Sequence, residues 1–156
     1  MEFPIKNFLP HQPPMLMVDT VKRITPDEVE TEFYITSDNI FVECGRFSET
    51  GLIENAAQTC SAISGQFYFT EKQPSNCHIN PQVLGFISSI KKIHIHQLPD
   101  AGTTITSKAE LISHSQTDNY SICVLKVRVF NQDTLFLEGE LNLFLQNKSY
   151  EMSYNN

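Results

Sequence analysis

The sequence predicts an α+β domain in which a highly twisted antiparallel sheet of five or six strands wraps a single central helix. Three features lead to that prediction. One segment, from about Ser48 to Phe67, has helical periodicity; nearly everything after Val83 has the character of strand; and the breaks between those strands are short and rich in turn formers. A length of 156 residues suits one domain spanning residues 1–156 with a real hydrophobic core.

The opening from Phe8 to Pro14 contains Pro10, Pro13 and Pro14 and leads into Met15-Leu16-Met17-Val18, a short apolar run with the character of a buried strand or turn. Val29-Glu30-Thr31-Glu32-Phe33-Tyr34-Ile35 follows, and its β-branched and aromatic residues favour a strand. In the helical segment, Leu52, Ile53, Ala56, Ala57, Cys60, Ile63 and Phe67 recur at spacings of three and four, so they form one apolar stripe. Ser48 or Thr50 can cap its start, and Glu49 and Glu54 suit the positive end of the helix dipole. Ala56, Ala57, Ser61, Ala62, Ser64 and Gly65 leave little side-chain bulk, which lets a sheet curl closely around the helix; Gly65 also marks a candidate end. Four strands are then expected, over Val83–Gln97, Thr104–His114, Tyr120–Phe130 and Leu135–Gln146. The last alternates Leu135, Leu137, Gly139, Leu141, Leu143 and Leu145 against polar neighbours, so one face of it is core. The tail from 147 to 156 is polar and expected to fray.

Apolar residues make up 40% and charged residues 19%, which is a globular balance, and the net charge of −7 offers no global attraction to nucleic acid or anionic membrane. Cys44, Cys60, Cys77 and Cys123 are too widely spaced for a metal or redox pair, and Cys60 falls within the apolar stripe, so reduced thiols are expected. The N-terminus lacks a basic-then-apolar signal pattern, and no stretch approaches the roughly 18 apolar residues of a membrane helix, so a cytoplasmic location is expected.

Three motifs in order carry a family resemblance. Phe8-Leu9-Pro10-His11-Gln12-Pro13-Pro14-Met15-Leu16-Met17-Val18-Asp19 resembles the L-P-H-R-x-P-x-L-L-V-D opening of β-hydroxyacyl-acyl-carrier-protein dehydratases. Gly51-Leu52-Ile53-Glu54-Asn55-Ala56-Ala57-Gln58 is similar to their G-V-L-x-x-E-A-x-A-Q helix. Leu84-Gly85-Phe86-Ile87, the turn Leu98-Pro99-Asp100-Ala101-Gly102 and Leu137-Glu138-Gly139-Glu140-Leu141 form a weaker third match. The resemblance implies the hot-dog fold. It departs where the family has its catalytic histidine in G-H-F-P, since this chain has Gly45-Arg46-Phe47-Ser48, with a shorter link to the helix. The divergent branch found in aryl-polyene and flexirubin pigment clusters likewise lacks that histidine while keeping the L-P-H opening and the helical Glu, and this chain is most similar to that branch.

The activity so implied is removal of water from a 3-hydroxyacyl thioester to give a trans-2-enoyl thioester, in fatty-acid or polyene biosynthesis. That chemistry needs a base for the proton beside the carbonyl, an acid for the departing hydroxyl, and hydrogen-bond donors for the thioester oxygen. Glu54 and His11 are the candidate catalytic residues, because Arg46 cannot act as a base at neutral pH. Gly51, Gln58, Gly85 and Phe86 are the candidate substrate-binding residues, with Gly51 letting a thioester approach the donors at the helix start. Family members share each site between two protomers, so Glu54 and His11 are expected to meet across a dimer interface, in a homodimer or in a heterodimer with a related hot-dog subunit. No cofactor is implied beyond the phosphopantetheine of an acyl carrier protein, or coenzyme A, presenting the substrate.

Plainer roles stand beside these. Glu54 suits a solvent-facing position on the helix dipole, and His11 suits a structural tie between the N-terminal loop and the sheet. His78 falls in a loop, His94 and His96 share a strand face without a third ligand, and no metal site is expected. Lys91, Lys92 and Arg46 are candidates for docking an acidic carrier protein; a solvated strand face or a guarded sheet edge explains Lys91 and Lys92 equally, and Arg46 has Glu43 or Glu49 as alternative partners. Two other functions remain open: an acyl-thioester-binding subunit without catalysis, and a hot-dog thioesterase, since one fold hosts several chemistries.

Overall fold

The computed structural model describes residues 2–69 and 83–147. In chain order the elements are β1 (Phe3–Pro4), a 3-10 turn (Ile5–Asn7), β2 (Thr20–Ile24), β3 (Glu28–Tyr34), β4 (Val42–Glu43), β5 (Arg46–Phe47), α1 (Glu49–Phe69), β6 (Val83–Ile95), β7 (Thr104–Gln116), β8 (Tyr120–Asn131) and β9 (Thr134–Asn147). Among the described residues the main sheet has seven strands in the order β1-β2-β3-β7-β8-β9-β6, every pairing antiparallel. That is one or two strands more than expected. β1 holds only two residues, too few for any periodicity to show, and it pairs Phe3 and Pro4 with Val21 and Thr20. β4 and β5 form a separate ribbon closed by Cys44 and Gly45, both at positive φ. Cys77, His78 and the tail from 148 onward lie outside the described residues.

The helix is where it was expected, and its N-cap is Ser48, whose Oγ accepts the Gly51 N–H at 3.3 Å. It continues through Gly65 to Phe69. Its first turn packs against the Phe47 ring so closely that a Cβ on Gly51 would lie 2.5 Å from Phe47 Cε2 and 2.7 Å from Phe41 Cβ. The helix contacts β3, β6, β7, β8 and β9, so the sheet curls around it in the hot-dog arrangement.

Leu52, Ala56, Cys60 and Ile63 are fully buried against Leu125, Val127, Leu141 and Leu143 of the sheet. Each large aliphatic side chain so removed from water contributes about 1.5–3 kcal/mol. Burial pushes the Cys60 and Cys123 thiols up, so both stay protonated and pack as small hydrophobes.

Helix α1 is buried on more than its apolar stripe. Asn55, Gln58, Thr59 and Ser64 are also inaccessible, and each has a partner: Thr59 Oγ1 lies 2.8 Å from Thr31 Oγ1, and Ser64 Oγ donates to Cys123 Sγ at 3.4 Å. The sheet covers one side of the helix, and the N-terminal segment ending at Val18 covers another.

β6 is the outer strand, paired with β9 through a bulge in which Lys92 and Ile93 stand opposite the single residue Gly139. Lys92 takes a φ of 51° there. A Cβ on Gly139 would sit 2.7 Å from the Lys92 carbonyl oxygen, so only glycine fits beneath the bulge.

Candidate active site

Residues 15–17 cross the helix almost as a strand would, but the partners of their backbone are side chains. Gln58 Oε1 accepts the Met17 N–H at 2.7 Å, and Gln58 Nε2 donates to the Met15 carbonyl at 2.8 Å. Asn55 Nδ2 donates to the Met17 carbonyl at 2.7 Å, while Ser107 Oγ of β7 donates to Asn55 Oδ1 at 2.6 Å. Upstream, the Gln12 carbonyl accepts the Met15 and Leu16 N–H groups, closing a turn that contains a cis Pro13–Pro14 bond. The turn places His11 over the helix.

There His11 Nε2 lies 3.9 Å from Glu54 Oε1, and Gln58 Nε2 donates to that same oxygen at 2.7 Å. The side chains of His11 and Glu54 are 32% and 25% exposed, so each is held by the protein yet reachable by a substrate. Burial holds His11 below the usual histidine range, with the Glu54 charge pulling the other way. Burial thus favours the neutral ring, the form in which an imidazole nitrogen can accept a proton. Among the described residues Nδ1 is buried with no hydrogen-bond partner, and Nε2 is the ring nitrogen that faces Glu54.

The pair therefore forms within one chain rather than across an interface, as the family's shared sites had implied. The reason is the double clamp by Gln58 and Asn55, which ties the His11 segment to the helix carrying Glu54. Asn55 and Ser107 were not singled out from the sequence. The available signals were an Asn on a helix otherwise built of small residues, and a Ser at an inward position between Ile105 and Ala109.

The other expected site residues are more scattered. The missing side chain of Gly51 makes room for Phe47 and Phe41, and its N–H already bonds Ser48. A Cβ on Gly85 would meet Leu145 Cδ2 at 2.8 Å. Phe86 is exposed on the sheet face opposite the helix, stacked on Phe144 with ring centroids 5.0 Å apart; Phe144 in turn stacks on Tyr120. Strand parity turns Ile87, not Phe86, toward the core.

Arg46 reaches Asp100 at 3.6 Å, so its partner is not Glu43 or Glu49. The cationic strip on β6 is offset by β9: Lys92 Nζ lies 3.8 Å from Glu140 and His96 Nε2 lies 3.2 Å from Glu138, while Lys91 is exposed in register with Glu140. A groove of about 730 Å³ on the outer sheet face includes Lys92 and His94 in its lining. It is crossed by the row Arg23, Glu30, Lys108, Arg128, Glu138 and His94, each the pairing partner of the next. Mixed charges and a position behind the sheet separate this groove from Glu54. Among the described residues, no three His, Cys, Asp or Glu side chains converge as metal ligands, and no helix is long and apolar enough to cross a membrane.

No curated protein matches the sequence. Among solved structures, the dehydratase heterocomplex ApeI:P from Xenorhabdus doucetiae superposes with a TM-score of 0.76 at 19% identity, covering 99% of this chain and 98% of that one. A hypothetical thioesterase with coenzyme A from Streptococcus pneumoniae gives 0.55 at 12% identity, covering 81% and 84%. A thioesterase from Staphylococcus aureus gives 0.59 at 12%, covering 81% and 91%. At these identities the likeness establishes the hot-dog fold that dehydratases and thioesterases share. The sequence itself matches the ApeP-like family, described as ApeP dehydratase, over residues 3–153. This chain, with its histidine and glutamate joined across the start of one helix, belongs to the ApeP-like dehydratase family.

Proposed function

We propose that the chain dehydrates a 3-hydroxyacyl thioester in polyene or fatty-acid biosynthesis, using His11 and Glu54 as its proton-transfer pair. The observation that carries this reading is the 3.9 Å approach of His11 Nε2 to a Glu54 carboxyl that Gln58 holds in place. His11 takes the proton from the carbon beside the thioester carbonyl. That proton passes from His11 Nε2 to the Glu54 carboxylate, directly or through one water, and Glu54 gives it to the hydroxyl on the next carbon, which leaves as water while the electron pair of the broken C–H bond becomes the new double bond. His11 ends neutral and Glu54 ends as a carboxylate, so the pair is reset. A hydrolytic reading is less favoured, because hydrolysis by a single helical carboxylate gives His11 no task.

The substrate arrives on the phosphopantetheine of an acyl carrier protein or on coenzyme A. Lys91, Lys92 and Arg46 are the proposed contacts for an acidic carrier. Lys91, which has no ion pair among the described residues, is the best placed of the three. The likeness to a dehydratase heterocomplex supports assembly with a related hot-dog subunit. Among the described residues the far side of β6 is unpaired, and it is a ready edge for such a partner or for a second copy.

Mass spectrometry of a carrier protein loaded with 3-hydroxyacyl chains, after incubation with the protein, separates loss of water from hydrolysis and from inertness. His11→Ala and Glu54→Gln are each expected to abolish dehydration in a folded protein apart from a slow residual rate, and the double variant to cost little more. Hydrolysis that needs Glu54 alone would establish the thioesterase instead, and an inert wild-type protein the acyl-binding subunit.

A further inference from the structure

Among the described residues, Asn55 is the one fully buried side-chain amide of the helix that makes no bond to Glu54, and yet it meets the segment that carries His11. Its Nδ2 donates to the Met17 carbonyl at 2.7 Å, and its Oδ1 is held from behind by the Ser107 hydroxyl at 2.6 Å. All three residues are fully buried, so water cannot substitute for any of these bonds. From Met17 the restraint passes to Leu16, whose N–H bonds the Gln12 carbonyl, and Gln12 adjoins His11. The buried turn of helix thus has two amides with different duties. Gln58 touches both the loop and Glu54, whereas Asn55 touches the loop alone.

We propose that Asn55, braced by Ser107, is a positioning residue for His11: it fixes the depth at which residues 15–17 lie on the helix and hence where the imidazole stands relative to Glu54. The inference rests on the dehydratase reading for its kinetic consequence, but not for its structural one. A displacement of about 1 Å in a reacting group can cost on the order of a hundredfold in rate, and an unanchored Met17 carbonyl leaves residues 15–17 held to the helix by Gln58 alone.

The test uses the full chain and a carrier protein loaded with 3-hydroxyacyl groups. Asn55→Leu keeps the volume and removes both bonds; it is expected to lower kcat by roughly 10- to 100-fold with KM little changed. Ser107→Ala spares the Asn55–Met17 bond and is expected to cost only about 2- to 5-fold, which keeps the idea testable should Asn55→Leu not fold. In a His11→Ala background both substitutions should change the residual rate by less than about twofold, because a residue that works through His11 has nothing left to position. Equal losses in both backgrounds would show that Asn55 serves the fold or Glu54 and would overturn the proposal. A second measurement does not need activity. The His11 ring is followed by nuclear magnetic resonance across pH; Glu54 is the charged group that acts on it, and burial holds it low. Asn55→Leu, or Ser107→Ala, should move that titration up toward the usual 6.5. An unmoved titration refutes the positioning role even if the variant is slow. A wild-type protein without dehydration, combined with a moved titration, sinks the dehydratase reading and leaves the positioning role standing.

Discussion

Replacing Gln58 with Glu changes almost no volume and puts a carboxyl where an amide now donates to Glu54 Oε1 at 2.7 Å and to the Met15 carbonyl at 2.8 Å. Two full negative charges at that separation repel by about 6 kcal/mol at an effective dielectric of 20. The pair will not bear that cost, because taking up one proton is easier. Protonating a carboxyl of ordinary pKa near 4.3 costs about 3.7 kcal/mol at pH 7 and only about 1 kcal/mol at pH 5. Protonation therefore sets the ceiling, and Gln58→Glu should destabilise the fold by about 3–4 kcal/mol at pH 7 and recover about 2.7 kcal/mol of that by pH 5. The shared proton restores one of the two lost donations, and the remaining oxygen still accepts the Met17 N–H. Urea unfolding followed by circular dichroism, with wild type at each pH as reference, cancels the other carboxylates. A stability deficit equal at pH 7 and pH 5 would mean that Gln58 does not lie against Glu54, and the geometry of the site would be wrong.

Thr31 and Thr59 meet hydroxyl to hydroxyl in the core. Either valine substitution alone should cost about 1–3 kcal/mol by stranding the other hydroxyl, and the double substitution less than about 1; additive losses in a double-mutant cycle would refute the pairing. If the His11 imidazole is the base, the acid limb of kcat/KM must fall below the usual 6.5, because burial lowers its pKa, and a limb at or above 6.5 would exclude it. The same depression means that the unfolded chain binds this proton more readily. Stability present above 6.5 is therefore withdrawn as the pH falls from 6.5 through the folded value, and His11→Ala should flatten that slope in unfolding measured across pH.

The elements with strong periodicity were legible in the sequence. The helix and the strands β6 to β9 are where their patterns placed them, and Leu137, Leu141, Leu143 and Leu145 all face the core. Glu54 and Gln58 could be paired from a spacing of four on one helix, and they touch. The short elements were not legible, since β1, β4 and β5 have two residues each and are defined by their neighbours. Met15-Leu16-Met17-Val18 was recognisable as an apolar run, of which Met17 and Val18 are buried while Met15 is exposed; its partners are the amides of Asn55 and Gln58, about 40 residues downstream, and no local pattern encodes a strand whose ladder is made of side chains. The burial of polar residues on the helix escaped for the same reason: an apolar stripe marks the face that meets the sheet and is silent about a second covering. The outward placement of Phe86 was not legible either, since a motif match conveys which residues are present and not which side of a strand they occupy.

Because His11 and Glu54 meet within one polypeptide, the proposed mechanism carries a stoichiometry into any assembly the chain enters. On that mechanism, sites would be counted by copies of this chain, whichever subunit lay beside it. Subunits bearing His11→Ala mixed with subunits bearing Glu54→Gln would then stay silent, because neither can lend its intact group to the other. Diluting wild-type chains with either variant would lower activity in straight proportion to the copies replaced. A site divided between protomers behaves otherwise under both treatments, regaining activity in the first and falling off along a curve in the second. On the proposed mechanism, a neighbouring subunit would be needed for neither proton transfer.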